Sequence, residues 1–87
     1  MMTYMKFLKL ENGFVTYEYG RSKENMIGTV TVEINNKENV SFTFYPSSEI
    51  QKFCTSTAHT VGMIYKFIDK NDFPKKYTYA CWFNRPK

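Results

Sequence analysis

Tyr4-Met5-Lys6-Phe7-Leu8-Lys9-Leu10, then Glu11-Asn12-Gly13, then Phe14-Val15-Thr16-Tyr17-Glu18-Tyr19: this stretch decides the fold. Asn-Gly adopts the two positive φ values of a type I′ turn at little cost, and that turn matches the twist of paired strands. The runs on either side are rich in aromatic and aliphatic residues, which suit a pleated backbone. Two antiparallel strands, 4–10 and 14–19, follow from these residues.

The period of two continues downstream. In 27–34, Val30, Val32 and Ile34 share one face and Thr29, Thr31 and Glu33 the other. Asn35-Asn36-Lys37-Glu38 reads as the next turn. Val40, Phe42 and Phe44 then alternate with Ser41 and Thr43. Both runs have the wet second face of a half-buried antiparallel strand. Gly28, near the start of the third strand, marks a bulge or a close backbone approach.

After Tyr45-Pro46-Ser47 the period changes. Ser48 and Gln51 have the spacing of a capping box, which predicts a helix over 49–69. Ile50, Phe53, Cys54, Thr57, Val61, Ile64 and Ile68 fall on one side of it at 3.6 periodicity. Thr55-Ser56-Thr57 is its weakest stretch and the place where it would bend or break. Gly62 reads as the point where the helix lies close to the sheet. Asn71 suits the exit and Pro74 stops anything longer. Residues 76–83, Lys-Tyr-Thr-Tyr-Ala-Cys-Trp-Phe, read as a fifth strand. Both of its faces are apolar, which places it inside the sheet or against a partner.

The expected fold is α+β with element order β-β-β-β-α-β. It is an antiparallel four-stranded meander, one long amphipathic helix packed on one sheet face, and a fifth C-terminal strand. At 87 residues the chain has room for one core, so 1–87 reads as a single domain. A two-domain enzyme, a full dinucleotide-binding fold and a large barrel are excluded.

Chemistry-bearing patterns are scarce. Cys54 and His59 invite a nucleophile–base reading, but five residues along a helix leave them about 140° apart. Cys54 and Cys81 read as reduced core thiols. With one His they fall short of a zinc ligand set, so no metal and no cofactor is expected. Asp69 and Asp72 are the closest carboxylate pair and read as a solvated helix end. The four glycines never cluster into a phosphate-cradling loop. The expectation is therefore no catalytic residue and no enzyme activity. The first residues lack the apolar run of a signal peptide, and nothing approaches the ~20 apolar residues of a membrane span. A cytoplasmic protein without a membrane partner is the default.

Two excesses remain. Aromatic residues make up 18% of the chain, more than one helix over one sheet obviously needs. Strands one, two and five carry large side chains on both faces. Tyr17, Tyr19, Tyr77, Tyr79 and Trp82 are accordingly the candidate interaction surface, for a protein partner or a second copy of the chain. The alternative is a curved sheet that wraps these rings into one core with their hydroxyls at its rim.

The second excess is charge. Residues 1–65 balance six basic against six acidic side chains, so the net charge of +4 belongs to residues 66–87. Lys66, Lys70, Lys75, Lys76 and Arg85 form the candidate basic patch, beside Tyr77, Tyr79 and Trp82. Aromatics next to lysine suit single-stranded nucleic acid. The element order, however, is not the β-α-β-β-α-β of the RNA-recognition fold, and that fold's aromatic signatures are missing. A small non-enzymatic interaction or homodimer module, regulatory or accessory, is the leading expectation, with single-strand binding as the alternative.

Overall fold

Asn12 and Gly13 have φ of 55° and 81°, the pair of positive values the turn requires. In the computed structural model, which describes residues 2–80, they join β1 (Met2–Glu11) to β2 (Phe14–Gly20). The meander continues through β3 (Met26–Glu33) and β4 (Asn36–Phe44). The helix α1 (Thr55–Lys70) follows, and β5 (Lys76–Ala80) returns to the sheet. The sheet order is β4-β3-β2-β1-β5, antiparallel throughout. This is the expected β-β-β-β-α-β fold.

Five local expectations are corrected, the last of them, at Gly62, in the core. First, the register of β1 on β2 shifts between Phe7 and Lys9. Leu8 is the extra residue, and the shift resets the alternation so that Leu10 faces Val15 and lies on the same side as Phe7. The two-faced apolar character of the first strand is partly this bulge. Second, the third turn is at Ile34 and Asn35, so β4 begins at Asn36 and is longer than 40–44. Third, β5 is an outer strand of the described sheet beside β1, which removes the inner-strand alternative and leaves the one with a partner.

Fourth, the helix starts six residues later than expected. Ser48 Oγ accepts the Ile50 N–H, and Gln51 Nε2 donates to the carbonyls of Pro46 and Ser48, each at 3.1 Å. The expected capping box thus folds an irregular turn. The actual cap is Cys54, whose backbone N–H donates to Thr57 Oγ1 at 3.2 Å while its side chain takes the Thr57 N–H. The Thr-Ser-Thr run that would have bent a longer helix is where the helix begins. At the other end Asn71 leaves in the left-handed conformation, φ 54°, as its position suggested.

The core lies between α1 and the middle of the sheet. Met5, Val15, Tyr17, Tyr19, Ile27, Val30 and Val32 meet Met63, Ile64 and Phe67. The N-terminal half of the helix presents hydroxyls to the sheet, with Ser56, Thr57 and Thr60 buried. Thr57 Oγ1 lies 2.7 Å from the Tyr19 hydroxyl, and the Tyr17 hydroxyl donates to the Pro74 carbonyl at 2.6 Å. Two large phenols are thereby buried with their polar tips satisfied. Gly28 sits where a Cβ would come within 1.9 Å of the Thr43 carbonyl oxygen, the close approach expected of it. Gly62 is corrected: it is exposed, and a Cβ there would meet nothing within 4 Å.

Candidate functional site

Tyr17 and Tyr19, expected at an interaction surface, are fully buried. They wrap into the core instead, and burial holds both phenols above their ordinary pKa. Tyr77 is half-buried and packs edge-on against Phe67, with centroids 5.3 Å apart. Tyr79 pairs in register with Thr3. Trp82, Cys81 and Arg85 lie outside the described residues.

The expected basic patch is divided by the sheet. Lys66 and Lys70 are exposed on α1. Lys76 pairs directly with Lys6, which alternates with the buried Met5, so both point away from the helix. Lys75 leads into β5 and its carbonyl accepts the Phe7 N–H at 2.8 Å. The face turned away from α1 therefore holds a cluster that no linear run predicts: Lys6, Lys76 and Lys23 around Tyr4, lining a hollow of about 160 Å³ with Glu18 and Met26. Glu18 accepts the Tyr45 hydroxyl at 2.7 Å, and burial with this bond pushes the Tyr45 phenol up to about 12.

Cys54 and His59 are held by different neighbours. Cys54 caps the helix rather than lying on its apolar stripe, and His59 is half-buried against Thr3, Nδ1 to Oγ1 3.2 Å, not turned to water. Burial pushes the Cys54 thiol up. Hydrogen bonds from Thr57 and Ser56, with the Arg21 charge nearby, outweigh it and leave the thiol below its ordinary value. Burial lowers His59. Among the described residues no three His, Cys, Asp or Glu side chains come together as a metal site would require. No described helix is long and apolar enough to cross a membrane. A larger hollow of about 680 Å³, polar in lining, opens between Arg21–Ile27 and Ser47–Ile50.

The outer half of β4 carries an exposed aromatic pair, apart from the exposed Met2, Leu8 and Leu10 of β1. Phe42 is 39% exposed and Phe53 55% exposed. Their rings meet edge to face, 5.4 Å apart at 88°. Phe42 was expected on a buried face and Phe53 on the helix stripe. Phe53 instead reaches over β4 from the irregular 45–54 segment, beyond the width that α1 covers. The first half of β4 is held down: Lys37 pairs with Asp69 at 2.7 Å and the Tyr65 hydroxyl donates to the Lys37 carbonyl at 2.7 Å. The half from Val40 to Phe44 has no such tie among the described residues, and no charge.

Set beside known protein families, curated proteins and solved structures, the chain has no match.

Proposed function

We propose that this protein is a non-enzymatic, cytoplasmic self-association module, regulatory or accessory in role, that pairs with a second copy through the outer half of β4. The observation that supports the reading is the edge strand itself. β4 ends the sheet among the described residues, and an unpaired edge is a template for another strand. Its outer half lacks the lysine, proline or inward charge that usually blocks such pairing, and it offers Phe42 and Phe53 beside the open hydrogen-bonding groups.

A second copy fits better than an unrelated strand because Val40–Phe44 is close to self-complementary. Antiparallel pairing about a two-fold axis at Phe42 sets Phe42 against the second copy's Phe42, Val40 against its Phe44, and Ser41 against its Thr43. No like charges meet. The two Phe53 rings then cap the new apolar seam.

Sedimentation equilibrium from about 5 to 200 μM tests this. The expected result is a mass rising toward twice the 10.3 kDa of the chain. Phe42→Glu and Phe53→Ser should each hold it at the monomer mass. Leu10→Glu, an exposed apolar residue at the far end of β1, should leave association unchanged. A wild-type monomer at the highest concentration, or association that survives both β4-side changes, overturns the proposal.

A further inference from the structure

The face of the sheet turned away from α1 carries more positive than negative charge among the described residues at one hollow. Lys6 and Lys76 are directly opposed across β1 and β5. Like charges in that position repel, with Cβ atoms roughly 5 Å apart. Lys23 joins them from the β2–β3 loop at the same hollow. The cross-strand neighbour of Lys6 on its other side is Glu18, which lines the same hollow and accepts the Tyr45 hydroxyl on Oε2; its single charge offsets one of the three lysines. The ion pairs among the described residues are Lys9–Glu11 and Lys37–Asp69, and neither involves these three lysines. Among the described residues three ammonium groups thus share one hollow with one carboxylate, an excess of positive charge that favours an anion.

The rest of the face says what kind. Tyr4 stands two residues before Lys6 on β1 and lines the same hollow, so an aromatic ring sits beside the charge. Beyond Glu18 the surface continues as hydroxyls: Thr29 and Thr43 in its own cross-strand row, then Thr31 in the next, 2.9 Å from the buried Thr16. A hollow of about 160 Å³ accommodates a phosphate group but is far smaller than the usual site for a whole small molecule. A flat, wet sheet face with one basic hollow and one ring favours an extended polyanion with unpaired bases over an enclosed metabolite. A duplex would leave the Tyr4 ring without a base face to stack on.

We infer that this sheet face binds single-stranded nucleic acid, with Lys6, Lys23 and Lys76 on successive phosphates and Tyr4 stacking on a base. This site differs from the run of lysines in the C-terminal quarter, since Lys66 and Lys70 lie on the opposite side of the molecule. The lysine hollow itself lies at the β1–β5 side of the sheet, away from the β4 edge, so binding there and self-association are separable.

Fluorescence polarisation with a labelled single strand of about 12 nucleotides, at 50 and 200 mM salt, tests the inference. Three phosphate contacts predict a log–log slope near −2, or about 20-fold weaker binding at the higher salt. Lys6→Gln/Lys23→Gln/Lys76→Gln should weaken binding at least about tenfold at low salt and flatten the slope. Thermal melting should confirm that this triple variant stays folded. Tyr4→Leu should cost about tenfold with the slope retained, because it removes stacking and not charge. Lys66→Gln/Lys70→Gln and Phe42→Glu should bind like the parent. The inference is overturned by an absence of binding at low salt, by loss through Lys66 and Lys70 instead, or by equal affinity for duplex. Equal affinity for phosphatidylserine vesicles, or for ATP with no gain from the longer strand, overturns it as well.

Discussion

β2 and the outer half of β4 are written alike. Val15, Tyr17 and Tyr19 alternate with Thr16 and Glu18; Val40, Phe42 and Phe44 alternate with Ser41 and Thr43. Both present their apolar sets to the helix side of the sheet. Yet Tyr17 and Tyr19 are fully buried, whereas Phe42 keeps 39% of its surface. The difference is lateral position. β2 is the third strand of five, flanked on both sides and roofed by α1. β4 is an edge of the described sheet, and its outer half lies beyond the Lys37 ties to α1, with Phe53 of the 45–54 segment against Phe42. Alternation chooses a face; it says nothing about how far a strand lies from the helix axis.

Truncating one ring in each strand should separate the centre of the sheet from its edge. Tyr17→Ala removes a fully buried ring, its contacts with Phe7 and Phe67, and the donor to the Pro74 carbonyl. The expected loss is about 3–5 kcal/mol, against a total of roughly 4–13 kcal/mol for a domain of this length. Phe42→Ala should cost about 1 kcal/mol, since much of that ring is already in water. Urea denaturation at about 1 μM, below the range of self-association, reads both. Similar losses would mean that the edge is packed as tightly as the centre.

Gly28→Ala probes the seam that joins the two regions. The added Cβ would meet the Thr43 carbonyl oxygen at 1.9 Å and the Phe44 Cα at 3.0 Å, both backbone. No rotamer change relieves such a clash, so β4 must shift against β3, at a cost of about 1–3 kcal/mol. Amide exchange should quicken along β3 and β4 while the β1–β2 hairpin holds its protection. Uniform quickening across all strands would show that β4 is not a separable edge.

This contrast also explains what could be read from the chain. The hairpin at Asn12-Gly13, the alternation of β3 and β4, and the αL exit at Asn71 are local, set by φ preferences and by period. The start of α1 is not. Ser48 and Gln51 satisfy the spacing of a capping box, but Phe53 is drawn away from the helix by a ring eleven residues back on β4, and the helix begins after it. The burial of Tyr17 depends on Phe67 and Pro74, far along the chain. The cluster of Lys6, Lys23 and Lys76 exists only once β5 settles beside β1 in the Lys6–Lys76 register. Before that placement, Lys76 belongs to a run of C-terminal charges; after it, the sheet stands between Lys76 and the helix lysines. Leu8 shows the same limit on a smaller scale, because one bulged residue moves Leu10 to the other face.

The smallest expected effect concerns two glycines that have equally empty surroundings and opposite conformations. A Cβ at either Gly62 or Gly13 would meet nothing within 4 Å, so sterics with neighbours do not distinguish them. Gly13 has φ +81° in the β1–β2 turn, where an L side chain strains against its own backbone. Gly13→Ala should therefore cost about 1–2 kcal/mol. Gly62 lies inside α1 on its exposed side, where alanine reduces the freedom of the unfolded chain and is a better helix former. Gly62→Ala should stabilise the domain by about 0.5–1 kcal/mol. Were Gly62 needed for close packing of α1 on the sheet, the same change would destabilise. The sign of a single denaturation midpoint shift decides between the two.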